Sequence, residues 1–95
     1  MAAEIRSSPK EIENGWEFEV EIEENGSKTN HKVTVNRDFY QKITQGKIPP
    51  ETLVKKSFEF LLEREPAESI LSEFNLEQIS AYFPEYEGEI TSKLF

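Results

Sequence analysis

Residues 16–23, WEFEVEIE, alternate apolar and glutamate side chains without a break. Successive side chains of a β-strand point to opposite faces, so this pattern predicts a strand with one apolar face and one carboxylate face. The pair Asn25-Gly26 follows, and it is a favoured pair for a two-residue type I′ turn. The strand is therefore predicted to be the first half of a β-hairpin, which constrains where the rest of the chain can pack.

The turn also predicts the register of the hairpin. With Asn25 and Gly26 at its centre, apolar side chains oppose apolar ones and acids oppose bases, whereas a slip of one residue would break both matches. The predicted pairs are Trp16 with Val35, Phe18 with Val33, Val20 with His31, Glu19 with Lys32 and Glu23 with Lys28. The glutamate face is then solvated and partly neutralised by the second strand.

The segment before the hairpin has a less regular pattern. A two-residue turn at Asn14-Gly15 would place charged and apolar side chains on the wrong faces, although a bulged or odd-length loop would correct this. We expect residues 1–13 to be weakly structured, and a short first strand at Glu4–Ser7 or Lys10–Glu13 stays open. Pro9 would place such a strand at the sheet edge, because proline has no N–H to donate.

The chain after the hairpin has the spacing of helices. Asn36 is in position to be the N-cap of a short helix that ends at Gly46. The principal helix is predicted over Pro50–Glu65, with a proline in its first turn and Pro66 as its terminator.

Beyond Pro66 the pattern stays helical but is interrupted. Ala67–Phe74 has apolar residues at helical spacing, and we place its Ile70 and Leu71 in the core. Asn75 begins a further helix, because glutamine follows three residues later in a capping-box arrangement. Glu85–Leu94 is expected to form a last turn or two.

These elements predict a single α+β domain over residues 1–95. It comprises the weakly structured segment 1–13, the hairpin 14–36 and the helical part 37–95. The expected architecture is a two- or three-stranded antiparallel β-meander packed against one principal helix plus shorter C-terminal helices. Strands followed by helices argue against a parallel sheet.

Composition narrows the classes of function. The chain has a formal net charge of −8 and no cysteine, which excludes a disulfide framework and a thiolate metal site. No apolar run approaches the ~18 residues of a membrane span, and the N-terminus lacks the apolar core of a signal peptide. We therefore expect an acidic cytoplasmic protein without a membrane association.

The charges are segregated along the chain, with net charges of −6 over residues 1–27, +5 over residues 28–56 and −7 over residues 57–95. Complementarity between neighbouring elements explains this most simply. The alternative is an anion-binding surface for nucleic acid or a phosphate ligand, which the net charge of the chain disfavours. Its candidate residues are Lys32, Arg37, Tyr40, Lys42, Lys47, Lys55 and Lys56, with the tyrosine as a base-stacking platform.

Enzyme chemistry has little support in the sequence. The glutamates of residues 17–23 lie about 6.5–7 Å apart along one strand, too far to converge on a cation without further ligands. His31 is the only histidine, so no Ser–His–Asp arrangement exists, and its predicted position is at the margin of the core. The four glycines stand alone, so there is no phosphate-binding loop. We predict no catalytic residue, no metal ligand and no cofactor.

Several large apolar residues lie outside any clean helical stripe. If two or three of them are exposed together, they mark a protein interface or a homodimer contact. The interface candidates are Phe60, Phe74, Tyr82, Tyr86 and Phe95. A non-enzymatic protein–protein interaction module is the leading hypothesis, with a homodimer through the hairpin edge or the apolar helical surface as one form of it.

Three stretches carry a resemblance: PETLVKKSFEFLLEREP at residues 50–66, SIL at 69–71 and YFPEYE at 82–87. Together with the hairpin Trp16–Val35 they resemble a family of small uncharacterised prokaryotic proteins, a domain of unknown function. The resemblance covers most of the chain after residue 15. It implies a bacterial or archaeal protein, and no activity, cofactor or partner comes with it.

Overall fold

The computed structural model describes residues 4–24 and 26–95, and within them the chain forms four strands and four α-helices. The strands are β1 (Glu4–Ile12), β2 (Gly15–Glu24), β3 (Ser27–Asn36) and β4 (Glu73–Asn75). The helices are α1 (Arg37–Thr44), α2 (Pro50–Leu62), α3 (Ile79–Tyr82) and α4 (Tyr86–Leu94). Short 3₁₀ turns at Ala67–Ser69 and Leu76–Gln78 flank β4. The predicted α+β class is confirmed.

The register of the β2–β3 hairpin is the predicted one. Trp16 pairs with Val35, and every other pair up to Glu24 with Ser27 follows the same rule. Gly26 has a φ of 81°, in the left-handed region that a type I′ turn requires. The other central residue of the predicted turn, Asn25, lies outside the described residues.

Residues 4–12 form a nine-residue strand, β1, in place of the weakly structured segment expected there. Ile12 pairs with Gly15, so the two residues between them, Glu13 and Asn14, make the turn. The expected turn at Asn14-Gly15 is therefore wrong by one residue, because Gly15 is the first residue of β2. That glycine is needed for a close approach, since a Cβ atom on it would lie 2.0 Å from the carbonyl oxygen of Val35.

The sheet has the order β1-β2-β3-β4, which makes β1 and β4 its edges. Pro9 lies in the edge strand β1, as proposed for any strand that contained it. Within the described residues, β1 covers the outer edge of β2, whereas β4 pairs with only Lys32, Val33 and Thr34 of β3. A homodimer that forms through the hairpin edge stays a prediction.

The fourth strand was not expected, and it makes the sheet mixed. β4 runs parallel to β3, with Phe74 opposite Val33, and the Lys32 N–H donates to the Ser72 carbonyl at 2.7 Å. The stretch Ala67–Phe74 is a 3₁₀ turn and a strand, and the predicted helix there is wrong. Its apolar residues satisfy helical spacing by coincidence, because they pack from an irregular backbone.

The helices follow the prediction more closely. α2 begins at Pro50 as expected but ends at Leu62, before the predicted Glu65. Asn75 and Gln78 form the predicted capping box, with both reciprocal hydrogen bonds present. All helices cover one face of the sheet, where the apolar side chains of β2 and β3 are buried against them. The sheet and helices bury Phe18, Val20, Ile22, Val33, Val35, Phe39, Ile43, Leu53, Val54, Phe58, Phe60, Leu61, Leu76, Ile79, Tyr86 and Ile90.

The opposite face of the sheet is polar. The glutamates of β2 alternate with the buried residues and therefore point away from the helices. Glu21 forms an ion pair with Arg6 of β1 at 2.7 Å, and Glu19 lies opposite Lys32 of β3. The glutamate face is thus flanked by bases on both sides, in agreement with the expected partial neutralisation.

A candidate protein-binding groove

An apolar groove of about 410 Å³ lies at the β4 edge of the helical face. It is formed by the end of α2, the irregular segment around the first 3₁₀ turn, β4 and α3. Its lining residues are Leu61, Glu65, Ser69, Ile70, Leu71, Phe74, Gln78, Ile79, Tyr82 and Phe83. Most of them are apolar, and the groove is partly open to solvent.

The groove has a buried floor and an exposed apolar rim. Leu61, Phe74 and Ile79 belong to the core and form the floor. Leu71 and Tyr82 form the rim, with 48% and 64% of their surface exposed. Of the described residues, only these two and Phe95 are large apolar residues with extensive exposure, so two of the three lie on one groove. A contiguous exposed apolar patch of this kind is typical of a contact surface.

One wall of the groove is held by His31. Its Nδ1 lies 2.7 Å from the carbonyl oxygen of Leu71 and donates to it, because a carbonyl can only accept. In the neutral imidazole, Nε2 then accepts from the hydroxyl of Thr29, 3.0 Å away. The imidazole is buried and packs on Phe58, with ring centroids 5.5 Å apart. His31 is thus a structural residue at the core margin, as predicted, and it fixes the backbone that presents Leu71.

The other wall is held by the capping box. The Asn75 N–H donates to the side-chain oxygen of Gln78 at 2.7 Å, and the Glu77 N–H donates to the side chain of Asn75 at 2.9 Å. These bonds fix where the chain turns from β4 into the 3₁₀ turn and then into α3, which ends in Tyr82. They also commit the Gln78 oxygen to the protein's own backbone, so it is not free to orient a ligand.

The five interface candidates divide into three groups. Phe74 and Tyr82 line the groove, as a contact surface would require. Phe60 and Tyr86 are completely buried: the first packs edge-on against the second, with ring centroids 5.2 Å apart. Their expected place at a surface is wrong, because α4 folds back over α2 and covers them. Phe95 is exposed but does not line the groove.

Sequence reasoning missed Leu71 as a surface residue. We assigned it to the core because Ile70 and Leu71 look like neighbours on a buried helical stripe. In the structure the backbone there is extended, so adjacent side chains point in opposite directions: Ile70 is buried and Leu71 is exposed. The only local signal was that the apolar pair is followed by two polar residues, Ser72 and Glu73.

The basic candidates do not converge on one surface. Lys32 lies on the polar face of the sheet, whereas Lys42, Lys55 and Lys56 belong to helices on the opposite side. Lys42 is paired with Glu87 of α4 at 3.0 Å. Lys56 and Arg37 also have glutamate partners, and Lys47 is exposed in the loop after α1. Three of the six basic candidates thus have a glutamate partner within the fold, in line with the internal complementarity that was the simpler explanation of the charge segregation.

Tyr40 is not a stacking platform. It is buried, its hydroxyl donates to the Ile48 carbonyl, and its ring packs edge-on against Trp16 with centroids 5.0 Å apart. The outer side of Trp16 is covered by the Arg37 guanidinium, 4.7 Å from the ring centroid. The aromatic rings of this region are therefore used within the fold.

The strongest perturbation of a titratable side chain lies in the closed core. Burial raises the pKa of Tyr86, whose hydroxyl lies 2.6 Å from that of Ser57 with no exposed surface on either residue. A shifted pKa marks a functional site where substrate can reach the group, and here it cannot. The Tyr86–Ser57 pair therefore serves packing.

Comparison of the chain with protein-family models, with curated proteins and with solved structures found no match. Over residues 4–24 and 26–95, no group of three or more His, Asp or Glu side chains is arranged to hold a metal ion. In the same part of the chain, no helix has the length and hydrophobicity needed to cross a bilayer.

Proposed function

We propose that this protein is a non-enzymatic interaction module that binds an apolar segment of a partner protein in the groove. The observation that carries the proposal is the joint exposure of Leu71 and Tyr82 beside a preformed apolar floor. When a partner covers these two side chains, burial of their apolar surface contributes about 25 cal/mol of favourable binding free energy for each Å² removed from water.

A protein segment fits the groove better than a small metabolite does. Small-molecule sites enclose most of their ligand and aim several polar groups at it. This groove is open, and its polar groups are few: Glu65, Ser69, the Gln78 side chain and the Tyr82 hydroxyl. An apolar surface with little directional chemistry is typical of a protein contact, where aromatic and aliphatic side chains supply the binding energy.

The segment that forms the groove has the character of a binding loop. Residues 63–78 contain two 3₁₀ turns and a three-residue strand, held by side-chain hydrogen bonds. Irregular segments of this length in a compact domain are commonly functional, because binding residues are often carried by loops on a rigid scaffold. Here the hairpin and α2 are the scaffold.

The test compares Leu71→Ser/Tyr82→Ser with Phe95→Ser. All three residues are exposed, so neither variant should unfold, and Phe95 controls for the loss of surface hydrophobicity away from the groove. A displayed library of random 12-residue peptides is selected on the wild-type protein and then depleted on each variant. We expect peptides that bind the wild type and Phe95→Ser but not Leu71→Ser/Tyr82→Ser.

Two results would contradict the proposal. One is a selection from which no peptide depends on Leu71 and Tyr82. The other is a homodimer, measured by sedimentation at high protein concentration, that dissociates in Leu71→Ser/Tyr82→Ser and persists in Phe95→Ser. That result would assign the groove to a second copy of this chain.

A further inference from the structure

We propose that the groove selects a partner segment that is positively charged as well as apolar, with lysine or arginine next to its apolar anchors. This inference rests on the proposed function and adds the chemistry of the partner. It follows from the charges around the groove and from where the neighbouring bases are engaged.

The chain around the groove is acidic throughout. Residues 65–85 contain five glutamates and no lysine, arginine or histidine. Glu65 lines the groove itself, and Glu68 is exposed next to the lining residue Ser69. Glu73 lies opposite Lys32 on the polar face of the sheet, and Glu77 accepts a hydrogen bond from the Asn36 side chain at 3.0 Å. Glu65 and Glu68 are therefore the carboxylates closest to the apolar lining of the groove.

The nearest base in sequence is turned away from these carboxylates. The Arg64 guanidinium lies over the Phe60 ring, 3.6 Å from its centroid, and forms ion pairs with Glu85 and Glu89. Arg64 thus links the end of α2 to α4, and its charge is balanced by these two glutamates. Over residues 4–24 and 26–95, the ion pairs of the protein do not include Glu65, Glu68, Glu73 or Glu77.

This distribution contrasts with the rest of the surface. On the polar face of the sheet, glutamates stand beside bases, as Glu21 does beside Arg6. At the groove, Glu65 and Glu68 form no ion pair with any described residue, so a basic segment would supply the complementary charge. Such complementarity raises the association rate and excludes acidic competitors more than it adds affinity, and salt screens it.

The peptide selection described above separates this inference from the proposed function. We expect the groove-dependent peptides to be enriched in lysine and arginine beside apolar residues, relative to the starting library. Groove-dependent peptides without a basic bias would overturn the charge preference and leave the proposed function standing. The absence of any groove-dependent peptide would overturn the proposed function as well.

Two charge variants then locate the effect. Glu65→Gln/Glu68→Gln removes two carboxylates at the groove, and Glu17→Gln/Glu19→Gln removes two on the polar sheet face for the same change in net charge. We expect the first to weaken a selected basic peptide about 5-fold in 50 mM NaCl, and the second to change the dissociation constant less than about 2-fold. The difference should shrink in 500 mM NaCl. Equal weakening by both variants would show a nonspecific effect of net charge and would overturn the inference.

Discussion

The buried Ser57–Tyr86 pair makes an asymmetric prediction about stability. The Ser57 hydroxyl donates to the Leu53 carbonyl at 2.8 Å, which uses its single hydrogen. The Tyr86 hydroxyl, 2.6 Å from Ser57, must then be the donor in the bond between them. Removal of the serine hydroxyl therefore leaves a buried donor without an acceptor, whereas removal of the tyrosine hydroxyl does not.

Truncation of Ser57 is expected to cost more than truncation of Tyr86. In Ser57→Ala the Tyr86 hydroxyl stays buried without an acceptor, which costs about 1–3 kcal/mol, less up to ~0.5 kcal/mol for the better helix propensity of alanine. In Tyr86→Phe the serine still donates to the Leu53 carbonyl, so only one hydrogen bond is lost, at about 0.5–1.5 kcal/mol. In the double variant no donor is left unsatisfied, and it should be more stable than Ser57→Ala alone.

The assay is urea unfolding of the four proteins at pH 7, followed by tryptophan fluorescence and analysed as a double-mutant cycle. A domain of this size moves its melting temperature by about 4–8 °C for each kcal/mol, so thermal scans give a second measure. A larger cost for Tyr86→Phe than for Ser57→Ala, or strictly additive costs, would refute the assigned direction of the bond.

The same pair makes the protein sensitive to alkali. Burial raises the pKa of Tyr86 in the folded state above its ordinary value of 10.0. The folded state then holds a proton that the unfolded state releases, so stability is complete below pH 10 and falls as pH rises above it. Tyr86→Phe should have a smaller loss of stability between pH 9 and pH 11. A parallel loss in both proteins would contradict the assignment.

Three further predictions concern the backbone, the acid limit and the basic residues. Gly15→Ala should destabilise the fold by about 3 kcal/mol or more, because the new Cβ would overlap a carbonyl oxygen of β3. Gly88→Ala, in open space within α4, should instead stabilise it by about 0.5–1 kcal/mol. Urea midpoints compare the two variants, and equal effects would argue against the close approach at Gly15. The pKa of Glu87 is lowered from its ordinary 4.5, first by its hydrogen bond to Lys42 of α1. Its contribution to the free energy of unfolding is therefore complete above pH 4.5 and is lost as pH falls below that value. Glu87→Gln should flatten the acid limb of a stability–pH curve, and an unchanged limb would contradict this. Because the bases are dispersed, we expect a mixed-sequence oligonucleotide at low salt to leave the amide NMR shifts unchanged, both in the wild type and in Lys55→Glu/Lys56→Glu. Salt-sensitive binding by the wild type that is lost in this variant would restore the anion-binding hypothesis.

The sequence was most informative where one local rule decides the outcome. The turn after Glu24 determines the register of β2 and β3, and a single slip would bury carboxylates. The capping box at Asn75 is equally local. Both were predicted from a handful of adjacent residues.

The sequence was least informative where contacts between distant segments decide the outcome. Whether Phe74 belongs to a strand or a helix depends on Val33, which is remote in sequence, and no local pattern reports this pairing. Phe60 and Tyr86 looked exposed because their burial requires α4 to return over α2. The groove is likewise formed by segments that are distant in sequence. One residue of its apolar rim, Tyr82, could be predicted, but the shape of the groove could not.

The parallel pairing of β4 has a consequence for the local stability of the groove. Three residues are held against a strand about 40 positions earlier in the chain, and loop closure over that distance must occur before the pairing stabilises anything. β4 is the shortest strand of the sheet and pairs with one neighbour, so its amide protons should exchange with solvent faster than those of β2. A segment bound in the groove against Leu71 and Tyr82 would slow this exchange. Amide exchange in β4 would therefore show whether the groove is occupied.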